Sequence, residues 1–125
     1  MEMLGFDHVN VRTSRLDEMI AWYTDVLNLR SGPRPAFPFG GAWMYLGDHA
    51  IVHLVDEASD PANSDPKIEH FALRAKGLSE FLNLLDERGI ESKVIELADV
   101  GITQVNVFDP DGNHIHVDFK GESAP

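Results

Sequence analysis

The sequence predicts an α+β fold of two pseudo-symmetric βαβββ modules, with curled mixed sheets around a central cavity and the helices outside. Three observations carry this. The order strand, helix, three strands runs twice along the 125 residues. Residues repeat with it: Asp7-His8-Val9-Asn10-Val11-Arg12 lies over Glu69-His70-Phe71-Ala72-Leu73-Arg74 at a spacing of 62, and Val52-His53-Leu54 lies over Ile115-His116-Val117 at a spacing of 63. Each of these segments also alternates, with apolar residues on one face and histidine on the other, as half-buried strands do. A single domain over residues 1–125 is expected, made of module one (4–56), a linker (57–66), module two (67–120) and a tail (121–125).

In order, residues 5–12 form the first strand, with Val9 and Val11 on one face and Phe6, His8, Asn10 and Arg12 on the other. Thr13 or Ser14 can cap a helix, and Asp17 and Glu18 suit its first turn. Leu16, Met19, Ile20, Tyr23, Val26 and Leu27 recur at helical spacing, so the helix runs from about Arg15 to Leu27 and stops near Asn28. Residues 30–41 hold Pro33, Pro35 and Pro38 with Gly32, Gly40 and Gly41, which fits an extended loop and an edge strand. Phe37 and Phe39 on that loop fit either a lid over a pocket or a loop folded onto its own core. Residues 42–46 and 50–55 are strands joined by Gly47-Asp48-His49. The second of them turns Val52 and Leu54 one way and Ile51, His53 and Val55 the other.

Asp56 to Pro66 is polar and punctuated by proline, as linkers are. Module two then opens with a strand at 67–74. Ser79 is placed to cap the next helix, whose apolar part is Phe81, Leu82, Leu84 and Leu85 and which ends at Gly89. Residues 91–97 and 101–108 are strands. Asp109-Pro110-Asp111-Gly112 is a turn: proline presets φ, aspartate bonds its own backbone and glycine supplies positive φ. The last strand, 113–119, puts Ile115, Val117 and Phe119 on one face and His114, His116 and Asp118 on the other. Residues 121–125 are expected to fray.

Composition narrows the function. A formal charge of −11 with ten scattered Lys and Arg argues against nucleic acid or an anionic membrane as partner. The absence of cysteine excludes disulfides, thiolate nucleophiles and thiolate metal sites, so any metal must be held by histidine, carboxylate or water. No apolar run approaches a membrane span and the first residues lack a signal pattern, so a cytoplasmic protein is expected.

Four of the six histidines, His8, His53, His70 and His116, occupy the first and last strands of the two modules, each opposite its strand's aliphatic set. A lone strand histidine is more often solvated or hydrogen-bonded than a ligand. Four at repeat-related positions favour metal ligation, because neutral imidazole is a ligand for Zn, Ni, Cu, Mn and Fe. His114 and His49 are expected at the surface, with a supporting role open to His114.

At these residues the chain resembles the vicinal oxygen chelate superfamily, which includes glyoxalase I, fosfomycin- and bleomycin-resistance proteins and extradiol dioxygenases. The resemblance covers nearly the whole chain. It rests on Phe6-Asp7-His8-Val9, Trp22-Tyr23-Thr24-Asp25-Val26-Leu27-Asn28-Leu29, Glu69-His70-Phe71-Ala72 and Phe108-Asp109-Pro110-Asp111-Gly112-Asn113. It implies paired βαβββ modules, a homodimer in which modules can exchange between chains, and a divalent transition metal (Zn, Ni, Mn or Fe) on His8, His53, His70 and His116. The departure is His116, where the family usually has glutamate. Four imidazoles keep the metal's full charge for Lewis-acid work but remove the carboxylate base.

The function expected is that of a metal-dependent, glyoxalase-like lyase or isomerase chelating vicinal oxygens of a small-molecule substrate. The alternatives are an Fe(II)-dependent ring-cleaving dioxygenase and a non-catalytic small-molecule or antibiotic-binding protein. Gln104 and Asp118 are the candidate catalytic residues. Asp118 lies about 6.6 Å beyond His116 along the strand, which suits it to act on a ligand better than as one. Arg12 and Arg74, on the faces of His8 and His70, are candidates for a substrate carboxylate, and Phe37, Phe39, Trp43 and Tyr45 for the pocket wall.

Overall fold

The computed structural model describes residues 1–2, 4–62 and 66–125. They form two four-stranded mixed sheets with one helix each, and neither sheet closes into a barrel. The chain divides into two compact units, Met1–Asn63 and Ser64–Pro125, with the boundary inside the predicted linker. Residues 63–65 of that linker lie outside the described residues.

Unit 1 contains β1 (Val9–Thr13), α1 (Leu16–Asp25), β2 (Arg30–Gly32), β3 (Gly41–Leu46) and β4 (His49–Asp56), with sheet order β1-β4-β3-β2. β1 runs parallel to β4, and the other pairs are antiparallel. Met19 and Tyr23 of α1 are buried with Ala42 and Met44 of β3 and Val52 and Leu54 of β4, so alternation in the strands and helical spacing in α1 supply one core. Burying side chains of this size contributes roughly 1.5–3 kcal/mol each. The first strand is shorter than predicted: residues 5–8 do not join the ladder and Phe6 is 79% exposed.

α1 begins at Leu16 with Arg15 in the cap position, so the cap is not a simple Thr13 or Ser14. Thr13 still serves the turn, its Oγ1 accepting the Arg15 N–H at 2.9 Å. Ser14 donates to Asp60, which also lies 3.8 Å from the Arg15 guanidinium, so the linker is tied to the start of the helix. At the other end Asn28 takes φ 55°, and the Leu29 N–H returns to the Tyr23 carbonyl at 3.1 Å. This bond reaches back six residues, one more than the Schellman bond that Ile90 N–H makes to the Leu85 carbonyl at the end of the second helix, and an asparagine tolerates the left-handed position.

Unit 2 contains β5 (His70–Ala75), α2 (Leu78–Glu87), β6 (Lys93–Leu97), a short 3-10 turn (Ala98–Val100), β7 (Ile102–Phe108) and β8 (His114–Lys120). Its sheet order, β5-β8-β7-β6, repeats that of unit 1, again with one parallel pair at the first strand. Leu78 and Leu85 of α2 are buried with Val105, Val107, Ile115, Val117 and Phe119. Gly89 closes α2 with φ 63°, as Asn28 closes α1.

Two expectations fail here together. Ser79 does not cap α2, because the helix already begins at Leu78 behind Gly77. The tail is not free: the Glu122 carboxylate accepts the N–H groups of Gly77 at 3.1 Å and Leu78 at 2.9 Å, and Thr103 Oγ1 donates to the Glu122 carbonyl at 2.6 Å. A helix N-terminus leaves N–H groups without partners and favours negative charge, and a distant glutamate supplies both needs.

The turn before β8 forms as the sequence indicates. Asp109, 4% exposed, accepts the Asp111 N–H at 3.0 Å and the Asn113 N–H at 2.9 Å through Oδ1 and the Asn113 amide at 2.8 Å through Oδ2. Gly112 takes φ 83°, a conformation that favours glycine. This knot sets where β8 starts and therefore where His114 and His116 point.

Candidate metal centre

The face of the unit 1 sheet opposite its buried residues carries Asn10 and Arg12 on β1, His53 on β4 and Trp43 on β3, with Asn10 and Trp43 flanking His53 in register. The His53 ring lies between two others. It stacks on His8 at 3.8 Å and 9° and on Trp43 at 4.0 Å and 12°. The row continues from Trp43 to Phe37 at 6.3 Å and from Phe37 to Phe39 at 5.1 Å, with the Arg34 guanidinium 5.0 and 5.3 Å from the two phenylalanine rings. Phe37 and Phe39 are 41% and 45% exposed, so the loop is not folded onto its own core. Tyr45 donates to the Pro33 carbonyl and lies 5.5 Å from the Arg30 guanidinium. Arg12 is exposed on the same face.

The corresponding face of unit 2 is a grid read from the strand registers. His70 of β5, His114 of β8 and Phe108 of β7 form one row; Ala72, His116, Asn106 and Lys93 form the next; Arg74, Asp118, Gln104 and Ile95 form the third. His70 and His116 stack at 4.0 Å and 14°, which repeats the His8–His53 pair of unit 1. His114 meets both rings edge-on at 5.4 and 4.8 Å, and Phe108 stacks on its outer side at 4.9 Å. The face opens on a cavity of about 430 Å³ lined by the three histidines with Glu69, Lys93, Ile95, Gln104, Asn106 and Phe108. That volume suits a small molecule.

Carboxylates organise the histidines in both units. Asp7 Oδ2 lies 2.6 Å from His8 Nδ1, and Glu69 Oε2 bonds His70 Nδ1. Those bonds hold both carboxyls below their usual range. With Nδ1 on a carboxylate, the lone pair of each neutral ring is at Nε2. His53 makes the other choice, its Nε2–H donating to the Ala50 carbonyl at 3.1 Å, which leaves Nδ1 as the base. Burial, reinforced by the neighbouring His8, lowers the His53 pKa; burial, reinforced by His70, lowers that of His116. Both effects favour the neutral imidazole that a metal requires.

The residue types therefore fit a divalent transition metal. Among the described residues, ligand nitrogens of His70, His114 and His116 lie within 4.8 Å of one another. Two nitrogens on one ion at about 2.0–2.1 Å each can be no more than about 4.2 Å apart. An imidazole lone pair also lies in the ring plane, so two nearly parallel stacked rings cannot aim at one point. Ligation accordingly requires one ring of each stacked pair to rotate about its Cβ–Cγ bond.

The expected ligands thus occur as two stacked pairs, one per unit. Gln104 lines the cavity. Asp118 sits two register pairs beyond His116 on the same face, outside the cavity lining, with its Oδ1 buried and without a hydrogen-bond partner among the described residues; Arg74 is exposed beside it. His114, expected at the surface, is 17% exposed at its side chain, against 40% for His70, and completes the trio. Sequence reasoning missed Asn106, Phe108 and Lys93. Alternation through β7 from Gln104 would have found the first two, whereas nothing near Lys93 marks it.

The model of the glyoxalase/bleomycin resistance protein/dioxygenase superfamily matches residues 5–117. No curated protein matches the chain. Among solved structures, a glyoxalase-family protein from Bacillus anthracis is 27% identical with a TM-score of 0.77, over 96% of this chain and 98% of that one. A genomically encoded fosfomycin resistance protein from Listeria monocytogenes (11% identity, TM-score 0.74, 94% of each chain) and a lactoylglutathione lyase from Agrobacterium tumefaciens (18%, 0.67, 92% of each chain) share the fold. The matched span takes in both sheets, both histidine pairs and the Asp109 turn, and by it the chain belongs to the glyoxalase/bleomycin resistance protein/dioxygenase superfamily.

Proposed function

We propose that this protein is a metal-dependent, glyoxalase-like enzyme of the lyase or isomerase type, acting on a small molecule with vicinal oxygens. The observation that carries the reading is the pair of stacked imidazoles in each unit, His8 with His53 and His70 with His116. His8 and His70 are oriented by a carboxylate on Nδ1, the arrangement that metal-ligating histidines customarily have. His8 and His53 in unit 1, and His70 and His116 in unit 2, would be the ligands of a divalent transition metal such as Zn, Ni, Mn or Fe. When bound, it supplies a Lewis acid that polarises a carbonyl or alkoxide oxygen.

The chain's own residues supply the rest. Gln104, in the cavity lining, orients a substrate oxygen by donating from its amide. Asp118 is the carboxylate on this strand face that is not engaged with histidine, and its Oδ1 lacks a partner. It is the group proposed to take up and return a proton between adjacent carbons. Arg12 and Arg74 would receive a substrate carboxylate, and Phe37, Phe39, Trp43 and Tyr45 would wall the site. A ring-cleaving dioxygenase is less well supported, because it calls for two histidines and a carboxylate on the metal. Here Glu69 is held by His70 and His114, and Asp118 lies about 6.6 Å along the strand from His116, too far to share its ion as a ligand.

The aromatic row from His8 to Phe39 favours a second reading, a non-catalytic protein that stacks a planar ligand without metal. One experiment separates them. Metal-loaded protein in D₂O should place deuterium on the carbinol carbon of an α-hydroxyketone in a substrate panel, with the rate lost in His116→Ala. No exchange with any member of the panel, together with unchanged ligand binding after chelation, would support the binding protein.

The enzyme is proposed to act in the cytoplasm as a homodimer. No helix among the described residues is long and apolar enough to cross a membrane. Phe6 and Ile68, 79% and 76% exposed and at repeat-related positions, support a second chain covering them. Elution as a monomer at micromolar concentration would refute the dimer.

A further inference from the structure

All six histidines of the chain fall into two sets of three. Each set has a stacked pair and an outer imidazole, and a carboxylate joins the outer ring to the pair. In unit 2 Glu69 bridges: Oε2 bonds His70 Nδ1, and Oε1 lies 2.9 Å from His114 Nδ1. In unit 1 Asp7 bridges: Oδ2 lies 2.6 Å from His8 Nδ1 and Oδ1 lies 3.3 Å from His49 Nε2, which is also 2.7 Å from the Asp7 carbonyl. The outer rings are not repeat-related, since 49 and 114 are 65 residues apart whereas the paired histidines are 62 or 63 apart. Two different sequence positions thus arrive at the same arrangement.

We infer that His49 and His114 are positioning residues: through Asp7 and Glu69 they fix His8 and His70 with Nδ1–H on the carboxylate and Nε2 free as the donor atom. The inference rests on the metal-binding reading above for its purpose, and for its geometry on the hydrogen bonds of His8, His70 and His114 to the two carboxylates and the 3.3 Å charge contact of His49 with Asp7. Asp7 and Glu69 are 70% and 67% exposed, and a lone exposed carboxylate samples many rotamers. A second imidazole on each limits that freedom.

In unit 2 the chain of bonds extends further. Asn106 Nδ2 donates to the Lys93 carbonyl at 3.1 Å, which turns Oδ1 toward His114 Nε2 at 2.9 Å. Glu69 and Asn106 both present oxygens to His114. Both ring nitrogens of His114 are thus occupied by oxygens, one of Glu69 and one of Asn106. This argues that His114, although within 4.8 Å of the other ligand nitrogens, supports a ligand instead of being one.

Two measurements on the full chain test this. Long-range ¹H–¹⁵N NMR of the metal-free protein should show His8 and His70 as Nδ1–H tautomers, with His70 becoming a mixture in Glu69→Ala and His8 in Asp7→Ala. Zn²⁺ titration by competition with a chromophoric chelator should show a loss of about 10- to 100-fold for Glu69→Ala and a smaller one, about 3- to 10-fold, for His114→Ala. The double variant should lose no more than Glu69→Ala, because His114 acts through Glu69. An unchanged His70 tautomer in Glu69→Ala overturns the inference. So does a His114→Ala loss that persists in full in the Glu69→Ala background, which would make His114 a ligand. If the parent takes up no Zn²⁺, the functional reading fails, and the tautomers still decide whether the carboxylates orient the rings.

Discussion

Asp109 links the fold to the proposed chemistry, and its replacement makes a quantitative test. Asp109→Ala removes the acceptor of three hydrogen bonds, from the Asp111 N–H, the Asn113 N–H and the Asn113 amide, at a side chain that is 4% exposed. Hydrogen bonds to a charged group contribute roughly 1.5–3 kcal/mol each, so the gross loss is about 5–9 kcal/mol. Asp111 and Asn113 are only half-buried, and water can replace part of what they lose. A net cost of about 3 kcal/mol is expected. Asp109→Asn keeps an oxygen for the two backbone N–H groups, and Asn113 can turn its amide to accept from the new NH₂. It should cost about 1 kcal/mol. Urea unfolding followed by far-UV circular dichroism measures both through the midpoint at constant m-value. Because the turn aims β8, Asp109→Ala should also speed amide exchange at Ile115 and Val117. If alanine and asparagine cost the same, or alanine costs under about 1 kcal/mol, the carboxylate does not organise this turn.

Other predictions follow from particular contacts. Glu122→Ala should lower stability by about 1 kcal/mol by uncapping α2, and a tail-deleted chain ending at Gly121 should lose more, because the buried Thr103 hydroxyl then also loses the Glu122 carbonyl; no change in urea midpoint for Glu122→Ala would mean that water serves Gly77 and Leu78 equally well. In metal-free protein, His53 and His116 have pKa values below the ordinary 6.5, so the unfolded chain binds protons that the fold does not. Their contribution is complete above 6.5 and declines as pH falls below it, so the urea midpoint should be lower at pH 5.5 than at pH 7.5. Equal midpoints would contradict the burial argument for these rings. Asp7 and Glu69, held below 3.8 and 4.5, act in the same direction at still lower pH. His116→Glu puts a carboxylate in place of the imidazole on β8 and should confer isomerase activity toward an α-keto hemithioacetal that the parent lacks. Failure to gain it with metal bound would show that position 116 is not what separates this chain from such isomerases.

Much of this was legible in the sequence because the relevant signals are periodic. Alternation gave the strands, helical spacing gave α1 and α2, and two residue matches at spacings of 62 and 63 gave the repeat that sets His8 over His70 and His53 over His116, whereas the stacking of His8 on His53 and of His70 on His116 comes from strand pairing. The Asp-Pro-Asp-Gly turn was legible because its bonds are local. What was missed depends on partners distant in sequence. Glu122 reaches α2 from 44 residues away, so neither the displaced cap nor the fixed tail has a local signature. His114 read as a surface residue because its environment comes from Glu69, 45 residues away, and from Asn106 on the neighbouring strand. Asp118 was placed correctly on its face, but only strand register shows that it pairs with Arg74 and Gln104.

The central claim, that the stacked histidine pairs are metal ligands, is tested most directly by titrating untagged, chelator-treated protein with Zn²⁺, Ni²⁺, Mn²⁺ and anaerobic Fe²⁺. The account predicts stoichiometric uptake of at least one of these ions, with affinity falling more than about 100-fold in His70→Ala and in His116→Ala. Uptake below about a tenth of an equivalent for all four ions, or affinity unchanged in both variants, would contradict it.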